Sequence, residues 1–125
     1  MITSTLVTST STAVPSLVFT SSTTGAPIGG GVTGQVNAIT TMVLCNTAAP
    51  TLTDETVNAV TVNIYLVKSG QSYGTNNTIV SSLNVPAGET VFFSDERIVL
   101  DSGDMVYVGT SAASRLAVTI STLPV

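Results

Sequence analysis

A chain of 125 residues is one domain's worth of polypeptide, long enough to bury about two thirds of the surface its unfolded form exposes. It is 43% apolar with a mean hydropathy of +0.51, and 8% of its residues are charged, against about 25% in an ordinary soluble domain. Its three basic residues, Lys68, Arg97 and Arg115, and its net charge of −4 exclude the cationic cluster that nucleic-acid phosphates or an anionic membrane surface require.

Taken in order, residues 1–36 stand apart. They are rich in Ser and Thr, carry no charge, and pass through Pro15, Pro27 and Gly29-Gly30-Gly31. Leu6-Val7 and Leu17-Val18-Phe19 each have the makings of a strand, but the glycines cannot sustain one. The expectation is an N-terminal arm or edge strand that orders on a neighbouring subunit, with Leu17, Val18 and Phe19 as its contact residues. The start of the chain, MITSTLVTST, lacks a basic segment followed by an apolar run, and no stretch approaches the roughly 20 apolar residues of a membrane-spanning helix. Assembly in the cytoplasm is expected.

From residue 37 the pattern becomes regular. Ala38–Asn46 reads as a strand whose apolar centre, Met42–Cys45, predicts burial on both faces. Residues 46–58 form a polar loop with Pro50, Asp54 and Glu55. In Ala59–Lys68, Val60, Val62, Ile64 and Leu66 alternate with Thr61, Asn63 and Tyr65; this period of two places one set on a core face and predicts the central strand. Ser69–Asn77 is a protruding loop around Tyr73. Asn77–Val85 is a strand, Val85–Glu89 a tight turn with Pro86 and Gly88, Thr90–Ser94 a strand carrying Phe92 and Phe93, and Ile98–Leu100 another. After the Asp101–Asp104 turn come Met105–Thr110, a turn at Ser111–Ser114, and the alternation of Leu116, Val118 and Ile120. Seven to eight short strands with no helical period predict an all-β antiparallel sandwich, Ig-like or jelly-roll, over residues 37–125.

The chemistry is sparse. Without histidine there is no Ser-His-Asp or Cys-His nucleophile and the commonest metal ligand is missing. The lone Cys45 cannot form an internal disulfide and reads as a small core hydrophobe. Asp95, Glu96, Asp101 and Asp104 offer oxygen ligands, but their spacing matches no calcium loop, and turn formation explains the same residues. Residues 29–34, GGGVTG, lack the lysine and the helix of a phosphate loop. Asn76-Asn77-Thr78 fits a glycosylation sequon without a signal peptide beside it. No catalytic residue, cofactor or metal site is expected. Tyr73, with Asn76 and Asn77, is the loop's contact candidate, since an exposed aromatic gives large area at small entropic cost; the alternative is a ring that lies flat on its own loop.

The runs NAITTMVLCNTA, VTVNIYLVKSG, VPAGETVFF, RIVLDSGDMVYV and SAASRLAVTISTL, covering about 90 residues, resemble the small β-sandwich virion proteins of tailed bacteriophages. The resemblance implies a non-enzymatic virion component that binds the capsid as a decoration or cement protein, or alternatively sits at the neck, collar or tail. It further implies partners in the virion: other copies of itself, as a homotrimer or ring, and the major capsid protein, with no direct nucleic-acid or membrane contact. A host-surface or carbohydrate-binding module using Ser69–Asn77 is the alternative from another class.

Overall fold

In the computed structural model, which describes residues 1–21, 36–94 and 97–124, the alternating stretch becomes strand β4 (Val60–Val67). Its Val60, Val62 and Ile64 are at most 1% exposed, and burying each such side chain contributes about 1.5–3 kcal/mol. Among the described residues eight further strands surround it: β1 (Ile2–Leu6), β2 (Ser16–Thr20), β3 (Asn37–Asn46), β5 (Thr78–Val85), β6 (Thr90–Phe93), β7 (Ile98–Leu100), β8 (Met105–Thr110) and β9 (Leu116–Pro124).

They form two antiparallel sheets. The first has the order β1-β9-β3-β6, with β7 pairing a separate part of β3; the second has the order β2-β8-β4-β5. Because β6 pairs Met42–Cys45 and β7 pairs Asn37–Ile39 of the same strand, the two act as one interrupted edge strand, giving two four-stranded layers. With β6 and β7 counted as one strand, the chain changes sheet at every connection except the β4–β5 hairpin. That crossing pattern is a jelly roll, two interlocked Greek keys, and not the Ig arrangement.

The stretch 1–36 expected as an arm or edge strand divides in two. β1 pairs β9, with Ile2 opposite Ser121, and β2 pairs β8, with Leu17 opposite Tyr107, so each is the edge of one sheet of this same domain. Val7, between them, is fully buried. Gly29–Gly31 lies outside the described residues.

The core fills the space between the sheets with Ile39, Met42, Leu44, Val62, Ile64, Val106, Val108, Leu116, Val118 and Ile120. Val43 and Cys45 correct the expectation of a strand buried on both faces. They point out of β3 and are half-buried, while Met42 and Leu44 point in. Cys45 is therefore a surface-facing thiol on β3, opposite Ala117 and Thr90, and not a core residue.

Buried polar groups fasten the ends. Asn46 is fully buried; its Nδ2 donates to Val85 O (3.0 Å) and Asn58 O (2.9 Å), and its Oδ1 accepts from Ala48 N (3.1 Å). One amide thus joins the 46–58 loop to the end of β5 where the 86–89 turn departs. At the opposite end Gly103 N donates to Ser21 O and Ser21 N to Asp104 O, both at 2.8 Å.

Candidate functional site

Three basic and seven acidic residues are present, and among the described residues none of them falls within a strand. Among the described residues both outer sheet faces are therefore neutral. The two faces are finished differently.

On the second sheet the chain dresses its own outer face. Leu17, Tyr107, Tyr65 and Thr78 follow one another across four strands. The 7–15 connection folds over them: Tyr65 OH donates to Thr12 O at 2.8 Å and accepts from Asn63 Nδ2 at 3.2 Å. Gly109 permits this approach, since a Cβ there would lie 2.5 Å from Thr12 O. Tyr73 leans in from the β4–β5 loop, its ring centroid 5.9 Å from that of Tyr65 and 5.3 Å from that of Tyr107, tilted by 54° to both. Such tilted contacts contribute about 0.5–1.5 kcal/mol beyond burial. Asn77 holds the loop in shape, accepting from Gly74 N (2.8 Å) through Oδ1 and donating from Nδ2 to Ser72 O (2.9 Å). Beside Tyr73 an open depression of about 540 Å³ is lined by Asn63, Tyr65, Gly74, Thr75, Thr78 and Ser81, all uncharged, with Ala13.

On the first sheet the outer face lies bare among the described residues. Strand register arranges it in rows: Leu6–Ala117–Cys45–Thr90, then Ser4–Thr119–Val43–Phe92, then Ile2–Ser121–Thr41, then Leu123–Ala38–Val99. Ile2 (70% exposed), Phe92 (65%), Val99 (59%), Leu123 (57%) and Leu6 (49%) stand up from it. Scattered surface hydrophobics are ordinary, but several on one uncharged face mark an interaction surface.

The six contact residues expected from the sequence separate on this framework. Val18 (7% exposed) and Phe19 (5%) belong to the core, because a bulge in β2 between Leu17 and Phe19 turns both inward; they are not contact residues. Leu17 stays exposed and shares a face with Tyr107, so it joins Tyr73 on the second sheet. Asn76 is exposed on the same loop. Asn77, bonded twice within the loop, braces Tyr73 and has little left to offer a partner. The residues of the bare face went unrecognised in the sequence. Their signal was the alternation Ile2-Ser4-Leu6 against Thr3 and Thr5, in which neither set carries charge.

The acidic candidates separate too. Asp95 and Glu96 lie outside the described residues. Asp104 braces two turns, its Oδ1 accepting from Ser69 N and its Oδ2 from Asp101 N, both at 3.0 Å. Among the described residues no three His, Cys, Asp or Glu side chains converge. In the 46–58 loop, Thr56 donates to Asp54 Oδ1 from Oγ1 (2.7 Å) and N (2.9 Å), and these bonds hold the Asp54 carboxyl below its ordinary value, the side-chain bond first.

A third feature opens between the free edges of β5 and β6–β7: an apolar cavity of about 320 Å³ with Ile39, Met42 and Ile64 at its base and Ile79, Phe93 and Ile98 at its rim. Among the described residues its lining is apolar apart from Ser94.

Comparison with known proteins returns no matching family model, no matching curated protein and no matching solved structure.

Proposed function

We propose that this protein is a non-enzymatic structural component of a phage virion, binding the capsid as a decoration or cement protein after assembly in the host cytoplasm. The observation that carries the reading is that none of the described strands carries a charged residue. A free-standing sandwich protects its edges and faces with charged side chains, Lys above all, because unpaired strand edges recruit other chains. Here the edge strands β1, β2, β5 and β6 carry none, which suits a domain whose faces and edges are covered by neighbours in a particle. Jelly rolls serve as viral capsid domains, among other roles; the fold by itself does not select a function, and the resemblance to tailed-phage virion proteins supplies the rest of the support. Heating capsids with and without the protein tests the reading. Added protein is expected to raise the temperature of capsid disruption and to co-sediment with particles; capsids that neither bind it nor gain stability would overturn it. Localisation by cryo-microscopy separates capsid decoration from a neck, collar or tail position.

The depression beside Tyr73 favours a second reading, a carbohydrate-binding module. An exposed ring bordered by Asn63, Thr75 and Ser81 offers stacking and neutral hydrogen bonds, the chemistry a sugar takes. Tyr73→Ala is expected to abolish adsorption to host-surface glycans while leaving assembly intact; unchanged adsorption removes this reading.

A further inference from the structure

We infer that the bare face of the first sheet is the interface of a two-fold dimer, its occupant a second copy of this chain. This goes beyond the virion reading and does not depend on it.

Three observations select the occupant. The face contains no charged residue in any of its four rows, so two copies meet without like-charge repulsion, whereas it presents nothing for a charged partner to complement. Its size suffices. Strands about 4.8 Å apart that rise about 3.3 Å per residue give the rows a footprint of roughly 500 Å² in projection, and two apposed faces then reach the roughly 1,000 Å² at which specific interfaces begin. Finally, the second sheet's outer face is already occupied by Thr12 and Tyr73 of the same chain, which leaves the first sheet as the layer able to stack on another sheet at about 10 Å.

The geometry closes on itself. A two-fold axis running along the strands between the copies sets β1 of one copy over β6 and β7 of the other. Ile2 and Leu6 then meet Phe92 and Val99 of the second copy, and the same contact repeats on the other side of the axis. Thr119, on the inner strand β9, lies near the middle. An isologous pair of this kind ends at two copies, in place of the trimer or ring expected from the sequence.

The experiment is sedimentation equilibrium of the full chain at about 1–100 µM, the range suited to a modest interface without charged anchors. The wild-type protein is expected to have twice the mass of one chain. Thr119→Arg, a charge placed on an exposed neutral row, is expected to halve that mass with an unchanged circular dichroism spectrum, and mixing it with Thr119→Glu is expected to restore the dimer. Phe92→Ser at the rim provides a second variant, expected to weaken pairing at least tenfold should the arginine variant fail to fold. A monomeric wild type across the range, or dimers that survive both substitutions in folded protein, would overturn the inference. A folded monomer that protects capsids through this face would assign the surface to the capsid, keeping the virion reading and sinking the dimer; dimers without effect on capsids would do the reverse.

Discussion

The carbonyl of Thr12 lies directly over Gly109, so close that a Cβ on Gly109 would sit 2.5 Å from the oxygen and 2.9 Å from the carbonyl carbon. A glycine within a strand often marks such an approach of another backbone. The 7–15 connection is held there by Tyr65 OH on the same carbonyl and by Thr110 Oγ1 donating to Ser9 O at 2.9 Å. Gly109→Ala therefore forces backbone to move, because no flexible side-chain end can yield. The expected cost is about 1–3 kcal/mol, read as a lower urea midpoint with an unchanged slope. Tyrosine fluorescence should change with it, since the chain has no tryptophan and Tyr65 loses its acceptor. An unaltered midpoint would mean that the connection does not rest on β8.

Asn46 is fully buried and its side chain makes three hydrogen bonds at its end of the sandwich. Replacing it with Leu keeps the volume and removes three hydrogen bonds, leaving the carbonyls of Val85 and Asn58 and the amide of Ala48 without their partner. Each buried backbone group left unpaired costs about 1–3 kcal/mol. A loss of roughly 3 kcal/mol or more is expected in denaturant unfolding, with faster amide exchange across residues 46–58. Loss of stability without faster exchange would place the role of Asn46 in the core and not in the loop.

Ile64 is fully buried and is paired with Val108 on one side and Val80 on the other. Ile64→Lys puts an ammonium into the apolar core, on a strand whose paired neighbours carry no acidic residue. The penalty approaches the whole 5–15 kcal/mol stability of a typical domain. An unfolded or insoluble product is expected by circular dichroism, and a soluble folded one would show the register of β4 to be wrong.

The strands between residues 38 and 121 were legible because period-two alternation and turn residues are local signals: Val60, Val62 and Ile64 announce their face, and Gly88 and Gly103, both at positive φ, sit in the turns. The distinction between Ig and jelly-roll order was not legible. It depends on pairings such as Ile2 with Ser121, between residues more than a hundred positions apart, for which a weak N-terminal alternation gives no partner. Leu17, Val18 and Phe19 could not be told apart as contact residues, because a bulge between Leu17 and Phe19 breaks the alternation that would have assigned their faces. Tyr73 was legible as a loop aromatic, whereas its two ring partners required the β4–β8 register. The bare face was hidden for a simpler reason: in β1 the residues pointing into the sandwich, Thr3 and Thr5, are more polar than Ile2 and Leu6 pointing out.

Acid should loosen the 46–58 loop through Asp54. Its folded-state carboxyl titrates below the ordinary value because of the two bonds from Thr56. A depressed carboxyl contributes stability that is present above the unfolded-state pKa and is lost as pH falls through the folded one. NMR titration of the Asp54 side chain is the direct check. Thr56→Val removes the Oγ1 bond and keeps the backbone one, so the midpoint should rise part of the way toward its ordinary value. Identical titrations in the two proteins would show that the hydroxyl bond is absent in solution.

Thr3 carries a defect that can be repaired. It lies opposite Ile120 with its side chain on the core side of β1, and its Oγ1 is buried with no hydrogen-bond partner. An unpaired buried hydroxyl costs roughly 1–3 kcal/mol, and replacing it with an apolar group of the same shape recovers part of that. Thr3→Val is isosteric and β-branched, keeps the preference for a strand, and should raise stability by about 1 kcal/mol, or about 4 °C in Tm for a domain of this size. Thr3→Ser retains the stranded hydroxyl and deletes a packed methyl, so it should move Tm the other way. A calorimetric scan of the two variants beside the wild type decides: if Val destabilises, the hydroxyl has a partner, and the inward orientation assigned to this edge of β1 must be revised.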